Sequence, residues 1–247
     1  MHTKELKLMK KDKQTIISLF TLILFASGAA FAEMAIPEPP ELPTKKVEKP
    51  KKQQTKSIYM TEQQWRTLEK LYRPVTKEKN VIQALELLKS SVGAYSRDAI
   101  LGANLTQNPI KIEFKDLTKL NPSFKDFDAA GSKVRSRLYI NINEKHKDAP
   151  PAALAALLAH EALHQDAYNS INEEVYAWKM EAAVWTELCE KYPDKVNVSH
   201  PLVRRENDLK KLFEKGDYSE EYIRKSIISN PAYKNLPSRS PGFEDRL

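Results

Sequence analysis

The sequence predicts an α+β fold that is mostly helical, with a small β-sheet packed beside a central helix. Apolar residues recur at helical spacing through most of residues 61–229, which predicts several amphipathic helices. Residues 110–115 and 138–143 instead alternate apolar and polar side chains, as half-buried strands do. An alanine- and leucine-rich stretch directly follows the second strand and contains His160-Glu161-Ala162-Leu163-His164. This motif is the strongest functional signal in the chain.

The first quarter of the chain has the composition of a targeting segment and a linker. A lysine-rich start precedes a charge-free apolar run over 15–32 that ends in Ala-Phe-Ala. This order predicts a secretory signal peptide over residues 1–32, and so an exported protein that is periplasmic or secreted. A membrane anchor over residues 15–32 is the alternative, because about 18 apolar residues are the lower limit for spanning a bilayer. Residues 33–56, rich in proline and lysine, predict a disordered linker before a folded domain at 57–247.

Charge and cysteine content narrow the functional classes. The formal net charge of +7 falls by three, to +4, once residues 1–32 are removed. The remaining excess forms no basic stripe and has no interleaved aromatic residues, so nucleic-acid binding is not expected. Membrane contact is expected only transiently, through the signal segment. Cys189 is the only cysteine, which excludes an internal disulfide framework and predicts a buried thiol on a helix. None of these features indicates an oligomeric state.

Capping residues and prolines predict where the helices begin and end. The region between the two strands, which contains Gly131, is expected to be a loop. The predicted order is a helix from the capping box Thr61–Gln64 to Pro74, a helix capped by Thr76 and closed by Gly93, a loop with at most a short helix over 95–108, the two strands, the motif helix from Pro150 and Pro151 to about Tyr168, a helix from Ser170 past Leu188, and helical structure from about Leu202 to Ser229.

The His-Glu-x-x-His motif has the spacing of a metal site. Residues four apart on an α-helix lie about 40° apart around its axis, so His160 and His164 can point at one ion. Two imidazoles in this arrangement suit a borderline cation such as Zn²⁺. Glu161 lies about 100° round the axis from His160, where its carboxylate can accept a proton from a metal-activated water. Glu161 is therefore the candidate general base. The alternative is a chance match, expected in about one chain in a hundred of this composition.

A third ligand is expected from the next helix, which opens with Glu173 and Glu174. Ser170 is a natural N-cap, and its spacing to Glu173 is that of a capping box, which would turn Glu173 back toward the Ser170 amide. Glu174 lies about 100° further round, on the side of the small residue Ala177, which lets the two helices pack closely. Glu174 is therefore the predicted third ligand. Glu173 is the predicted cap, and a possible further role is to orient His164.

These residues resemble the gluzincin class of zinc metallopeptidases. In that class a His-Glu-x-x-His helix follows a strand, and a glutamate on a later helix completes the site. The segment Glu174-Val175-Tyr176-Ala177 is similar to the Glu-x-x-Ala context of several gluzincins, and the order of elements over about 80–188 resembles the compact minigluzincin core. The resemblance implies a zincin-like metallopeptidase domain over 57–247 that hydrolyses peptide bonds with Zn²⁺.

The resemblance also implies where a substrate would bind. The strand before the motif helix would form the edge of the cleft and pair with an extended peptide, with Tyr139, Asn141 and Asn143 on its outer face. Relatives often use a Tyr or His beyond the glutamate helix to stabilise the oxyanion. The candidates here are His200, Tyr168 and Tyr176, and the sequence does not choose among them. The helices after Leu202 match nothing in the class and are expected to form the other wall of the cleft.

Two alternative functions remain open on the sequence. A zinc amidase acting on cell-wall cross-links would use the same residues on a different substrate. A non-catalytic, zinc-stabilised envelope binding protein would use the metal only for its fold. Glu161 favours catalysis, because a structural zinc site needs no general base and fills its fourth position with a protein ligand.

Overall fold

The computed structural model describes residues 18–19, 61–134, 137–165 and 168–240. Its elements form a mixed α+β structure that is predominantly helical, which confirms the coarse prediction from the sequence. The helices are α1 (Glu62–Tyr72), α2 (Lys79–Lys89), α3 (Ala94–Leu101), α4 (Pro151–Glu161), α5 (Ile171–Lys191), α6 (Pro193–Val196), α7 (Pro201–Lys215) and α8 (Glu221–Ser229). The strands are β1 (Ser18–Leu19), β2 (Lys111–Lys115), β3 (Ala129–Val134) and β4 (Arg137–Asn143).

The strands form one mixed sheet in the order β1-β3-β4-β2. β2 runs parallel to β4, with Ile112 opposite Ile140. β3 runs antiparallel to β4, with Gly131 opposite the same isoleucine. The two residues of β1 pair with Ser132 and Lys133 on the outer side of β3. β4 therefore lies in the interior of the sheet, between β3 and β2.

β3 occupies the region that was expected to be a loop. Its sequence, Ala-Ala-Gly-Ser-Lys-Val, has no alternation of large apolar and polar side chains, so no strand pattern is visible in it. The segment is nevertheless extended, because each of its residues is paired with a residue of β4. Ala129 and Ala130 are buried on opposite faces of the sheet, Ala129 in the core around α4 and Ala130 in a small cluster with Phe124 and Phe127.

The prediction that residues 138–143 form the edge of a cleft is wrong. β3 and β2 flank β4 on both sides, so the backbone of β4 has no edge left for a substrate peptide. Asn141, expected on an outer face, is 1% exposed, and its amide donates to the carbonyl of Ala130 and the hydroxyl of Ser132. Tyr139 is half-buried on the same interior strand. Neither Asn141 nor Tyr139 can therefore bind substrate as a residue of an edge strand.

α4 is the centre of the hydrophobic core. Every residue from Ala152 to Glu161 is buried, as expected for a helix that is apolar on all sides. α2 and α5 pack along it, and apolar residues of β2 and β4 belong to the same cluster. Alanine occupies about half of this helix, which lets its neighbours approach closely. The histidine motif at the end of α4 is thereby surrounded by packed elements.

α5 connects two hydrophobic clusters. Val184, Trp185 and Leu188 in its second half belong to the core around α4. Val175 and Trp178, nearer its start, pack with apolar residues of α7 and α8. The helices after residue 201 therefore cover the part of α5 that begins beside the histidine motif.

Two helix ends differ from the predicted ones in the region of the motif and of α3. α4 ends at Glu161 instead of near Tyr168, so His164 lies just beyond the helix. The amide of Leu163 donates to the carbonyl of His160 at 3.0 Å, a tightened turn that is common at helix ends. Gly93 begins helix α3 instead of closing α2.

The capping box at Thr61 is confirmed, since its hydroxyl accepts from the Gln64 amide and the Gln64 side chain accepts from the Thr61 amide.

The N-terminal predictions fall almost entirely outside the described residues. The predicted signal peptide and linker, residues 1–56, are outside them apart from Ser18 and Leu19. Within the described ranges, no helix combines the length and apolar character that crossing a membrane requires.

Candidate metal centre

The two histidines of the motif converge although only His160 lies within α4. Their Nε2 atoms are 3.2 Å apart and their rings meet edge to face. His160 is 0% exposed, and the side chain of His164 is 9% exposed. The tight turn at Ala162 and Leu163 keeps the spacing of a helix without continuing α4. Two ring nitrogens are thus available to one ion.

Glu174 is the carboxylate that faces both histidines. Its Oε2 lies 3.9 Å from His160 Nε2, and its Oε1 lies 3.7 Å from His164 Nε2. Oε1 also accepts a hydrogen bond from the side chain of Asn169, whereas buried Oε2 meets no donor in hydrogen-bonding geometry among the described residues. Burial raises the pKa of Glu174 to about 7, although the charge of His164 and the hydrogen bonds from Asn169 and Trp178 oppose the rise. A buried carboxylate that faces two imidazole nitrogens is suited to bind a cation together with them.

The separations between these atoms fit a tetrahedral zinc site. Zinc–nitrogen bonds of about 2.0–2.1 Å place two ligands of a tetrahedron roughly 3.3–3.4 Å apart. The two histidine nitrogens, 3.2 Å apart, lie close to that value. The glutamate distances, 3.7 and 3.9 Å, are to different oxygens of Glu174 and are longer, and one donor atom from each residue lies within 4.8 Å of the others. His160, His164 and Glu174 thus form a group of nitrogen and oxygen donors that could hold a metal ion. Three protein donors leave the fourth position to water, as in catalytic zinc sites.

Glu173 orients His164 and does not complete a capping box. Ser170 caps α5 as predicted, since its hydroxyl accepts from the Glu173 amide at 3.1 Å. The Glu173 carboxylate does not return to the Ser170 amide, which donates instead to the side chain of Asn169. Oε1 of Glu173 lies 2.9 Å from Nδ1 of His164, and its Oε2 accepts from the hydroxyl of Ser240 at 3.5 Å. A proton on Nδ1 of His164 leaves Nε2 free for a metal.

Glu181 lies beside His160 at an ion-pair distance, although the two side chains are not in hydrogen-bonding geometry. Its Oε2 lies 3.0 Å from Nδ1 of His160, and both side chains are fully buried. Arg205 of α7 forms a two-point ion pair with this carboxylate, at 2.5 and 3.0 Å. Burial alone would raise the pKa of Glu181, but the charges of Arg205 and His160 outweigh it and lower the pKa to about 2. Glu181 is therefore an anion at neutral pH.

The sequence analysis did not assign Glu181 or Arg205 to the site. One signal for Glu181 was available, because it follows Glu174 by seven residues, which is two helical turns on the same face. No comparable signal existed for Arg205, since α7 reaches the site through its packing against α5 and α4.

Glu161, the candidate base, is 4% exposed beside the first histidine. Burial raises its pKa to about 7, and the negative charges of Glu181 and Glu174 add to the rise while His164 opposes it. A carboxyl group with a pKa near neutrality can both accept and return a proton at physiological pH. This is the property that the proposed base requires.

Of the three residues considered for oxyanion stabilisation, His200 is engaged at the start of α7. His200 caps α7 by accepting from the Leu202 amide, and its other nitrogen lies 3.5 Å from Asp148. Tyr168 is 61% exposed, and Tyr176 is half-buried on α5.

A tyrosine that sequence analysis overlooked lies closer to the centre. Tyr233, 2% exposed, packs edge to face on Trp178 with the ring centres 6.4 Å apart. Trp178 in turn packs on the ring of His160 at 6.2 Å. Burial raises the pKa of Tyr233 well above its usual value, so the phenol remains protonated. Tyr233 follows the last predicted helix, which ends at Ser229, and no sequence pattern marked it.

No family model matches the chain, and neither a curated protein nor a solved structure is significantly similar to it. The resemblance to gluzincins therefore stays a prediction from the motif and its context. The functional argument depends on the geometry of the cluster itself.

The first prediction separates the two adjacent glutamates. Glu174→Ala should weaken zinc binding by several orders of magnitude, because it removes a ligand. Glu173→Ala should weaken it by only ~10–100-fold, because it removes the partner of His164 Nδ1. Competition with a chromophoric chelator measures both dissociation constants, and Glu190→Ala, at an exposed position of α5, is the control. The assignment of Glu174 is wrong if Glu173→Ala is the more damaging change.

The second prediction concerns the pH dependence of zinc binding. Burial lowers the pKa of His164, but the charges of Glu174 and Glu173 outweigh it and raise the pKa to about 9 in the metal-free protein. Zinc must therefore displace a proton from this ring at neutral pH. Zinc affinity should rise about tenfold per pH unit between pH 7 and pH 8.5. Titration calorimetry in two buffers of different ionisation enthalpy counts the released proton, and an affinity independent of pH would contradict the prediction.

Proposed function

We propose that this protein is a zinc-dependent hydrolase that cleaves peptide bonds. The observation that supports the proposal best is the convergence of His160, His164 and Glu174, with Glu161 adjacent and outside the ligand set. A purely structural zinc site would use a fourth protein ligand and would not need a carboxyl group with a raised pKa beside it. The donor set of two imidazoles and one carboxylate is that of known zinc peptidases.

Each residue has a chemical task in this proposal. Zinc bound by His160, His164 and Glu174 would polarise the scissile carbonyl and lower the pKa of its bound water toward ~7. Glu161 accepts the proton of the attacking water and transfers it to the leaving amine, and its pKa of about 7 suits both transfers. Glu173 and Glu181 hold the two imidazoles with Nε2 directed at the cluster.

The substrate class follows from the expected location. Export over residues 1–32 would place the domain in the periplasm or outside the cell, where its substrates would be peptides or envelope proteins. Cross-links of the cell wall contain amide bonds that the same chemistry could hydrolyse, so an amidase is a variant of the same proposal. Zn²⁺ is the proposed cofactor in both cases.

Burial of the cluster favours a second candidate, a zinc-stabilised protein without catalytic activity. His160 and Glu174 are 0% exposed. The C-terminal segment lies over the start of α5, where the amides of Ile171 and Asn172 donate to the carbonyls of Pro237 and Ser238. A substrate reaches Glu161 only if a segment covering the cluster moves. A protein that uses zinc for its fold would need no such movement.

The third prediction distinguishes the two candidates. Glu161→Gln keeps the size of the side chain and the metal ligands but removes the base, so zinc should stay bound while turnover falls by ~10²–10⁴-fold. Hydrolysis of a fluorescent peptide library and the zinc content are measured on the same samples, with Glu190→Gln as the surface control. Turnover equal to that of the unmodified protein would refute Glu161 as the base. Stoichiometric zinc with no hydrolysis by either protein would favour the non-catalytic candidate.

A further inference from the structure

We propose that Arg205 is a positioning residue for the metal centre, which it acts on through Glu181 and His160. The proposal rests on metal binding by the cluster but not on peptide hydrolysis, so it applies to a catalytic and to a structural zinc site. It assigns a role to the C-terminal helices, because Arg205 lies on α7. The alternative is that Arg205 only stabilises the fold as part of a buried ion pair.

The contact between Arg205 and Glu181 fixes the carboxylate in two directions. Nη1 of the guanidinium lies 2.5 Å from Oε1 of Glu181, and Nη2 lies 3.0 Å from Oε2. This parallel two-point pairing is specific to the planar fork of arginine and sets the plane of the carboxylate. The same Oε2 lies 3.0 Å from Nδ1 of His160. The guanidinium therefore fixes the position and plane of the carboxylate that lies beside Nδ1 of His160.

On its other side, Arg205 forms an ion pair with Asp128, the residue directly before β3. Nε lies 3.2 Å from Oδ2 of Asp128, and Oδ1 of Asp128 lies 2.6 Å from Nε2 of His146. The carbonyl of Asp128 accepts from the amide of Asn143 at 2.8 Å, which ties this residue to the end of β4. The guanidinium is thus clamped between α5 and the sheet and has little freedom to move.

The ring of Trp178 packs against the guanidinium of Arg205. Arg205 lies over Trp178, with its central carbon 5.5 Å from the ring centre, and Trp178 packs on His160 at 6.2 Å. Nη1 also donates to Glu206, the next residue of α7, at 2.7 Å. The side chain of Arg205 is only 10% exposed. The partners of Arg205 therefore tie it to three places. Glu181 and Trp178 lie beside His160, Asp128 is bonded to the sheet, and Glu206 belongs to α7.

This arrangement explains how His160 presents Nε2 to a metal. A neutral imidazole carries its proton on either nitrogen, and only the form protonated at Nδ1 leaves Nε2 as a ligand. A carboxylate fixed beside Nδ1 selects that form and holds the ring plane. Lysine at position 205 would keep the charge but supply a single donor point, so the Glu181 carboxylate could rotate.

The test compares Arg205→Lys and Arg205→Ala with Glu181→Gln and with the double variant Arg205→Ala/Glu181→Gln. The exposed neighbour Arg204→Ala is the matched control. Two properties are measured on each protein: the zinc dissociation constant by chelator competition, and the visible absorption spectrum after loading with Co²⁺. Unfolding of the metal-free proteins by urea is followed in parallel, so that a loss of stability is recorded separately.

The proposal expects zinc binding to weaken by ~10–100-fold in each single variant, with a changed Co²⁺ spectrum. The double variant should bind zinc no more weakly than Glu181→Gln alone, because Arg205 acts through Glu181. Millimolar guanidinium chloride should restore the spectrum of Arg205→Ala toward that of the unmodified protein. Arg205→Lys and Glu181→Gln keep most of the packing and test the proposal even if Arg205→Ala does not fold.

An unchanged zinc affinity and Co²⁺ spectrum in Arg205→Lys, with only the stability reduced, would show that Arg205 is structural and would overturn the proposal. Additive losses in the double variant would overturn it as well. Failure of the unmodified protein to bind zinc would refute the metal site, and the positioning role with it. Zinc binding without peptide hydrolysis would refute the proposed activity but leave the role of Arg205 testable by the same spectra.

Discussion

The structure around the motif depends on burying several acidic groups beside two imidazoles. Buried carboxylates are costly unless cations or hydrogen-bond donors oppose their charge. Arg205 provides one fixed positive charge for Glu181, and a protonated His164 lies between Glu173 and Glu174. Burial raises the pKa of both the candidate base and the candidate third ligand, and neighbouring carboxylates add to the rise. A divalent cation between the three donor atoms would oppose that charge directly.

The fold provides the rigid elements that this cluster requires. The alanine-rich α4 packs closely on all sides and places His160 in its last turn. α5 begins with the Ser170 cap and presents Glu174 and Glu181 from one face, two turns apart. α7 adds Arg205, and the loop before β3 adds Asp128. Four segments that are distant in the sequence therefore contribute to one site, and each does so from a helix or from a position hydrogen-bonded to the sheet.

The parts of the site that could be predicted are those encoded over a few residues. The spacing of His160 and His164 and the choice of Glu174 over Glu173 as the residue facing them follow from helical geometry and one capping residue. The role of Glu173 was less accessible, because the same spacing fits both a capping box and a contact with His164. Arg205 was not predictable, since its pairing with Glu181 spans 24 positions and depends on how α7 packs on α5.

The strands of the sheet, like the residues of the site, were predictable only where the sequence carries a local pattern. β2 and β4 alternate apolar and polar residues and were predictable, whereas β3 contains alanine, glycine and serine and exists through its pairing with β4. The assignment of Asn141 and Tyr139 to a substrate cleft came from the resemblance to gluzincins, and without β3 nothing in the sequence opposed it. Periodicity reports which side of an element is buried, but not how many neighbours a strand has.

The most direct measurement of the central claim is the zinc K-edge X-ray absorption spectrum of the purified protein with its metal bound. The proposed site predicts one zinc per chain, with imidazole nitrogen and oxygen ligands at about 2.0–2.2 Å. It predicts no sulfur ligand at about 2.3 Å, because Cys189 lies in the second half of α5, about three turns beyond Trp178, and is not part of the cluster. A first shell that contains sulfur, or a protein that binds no zinc at neutral pH, would contradict the account.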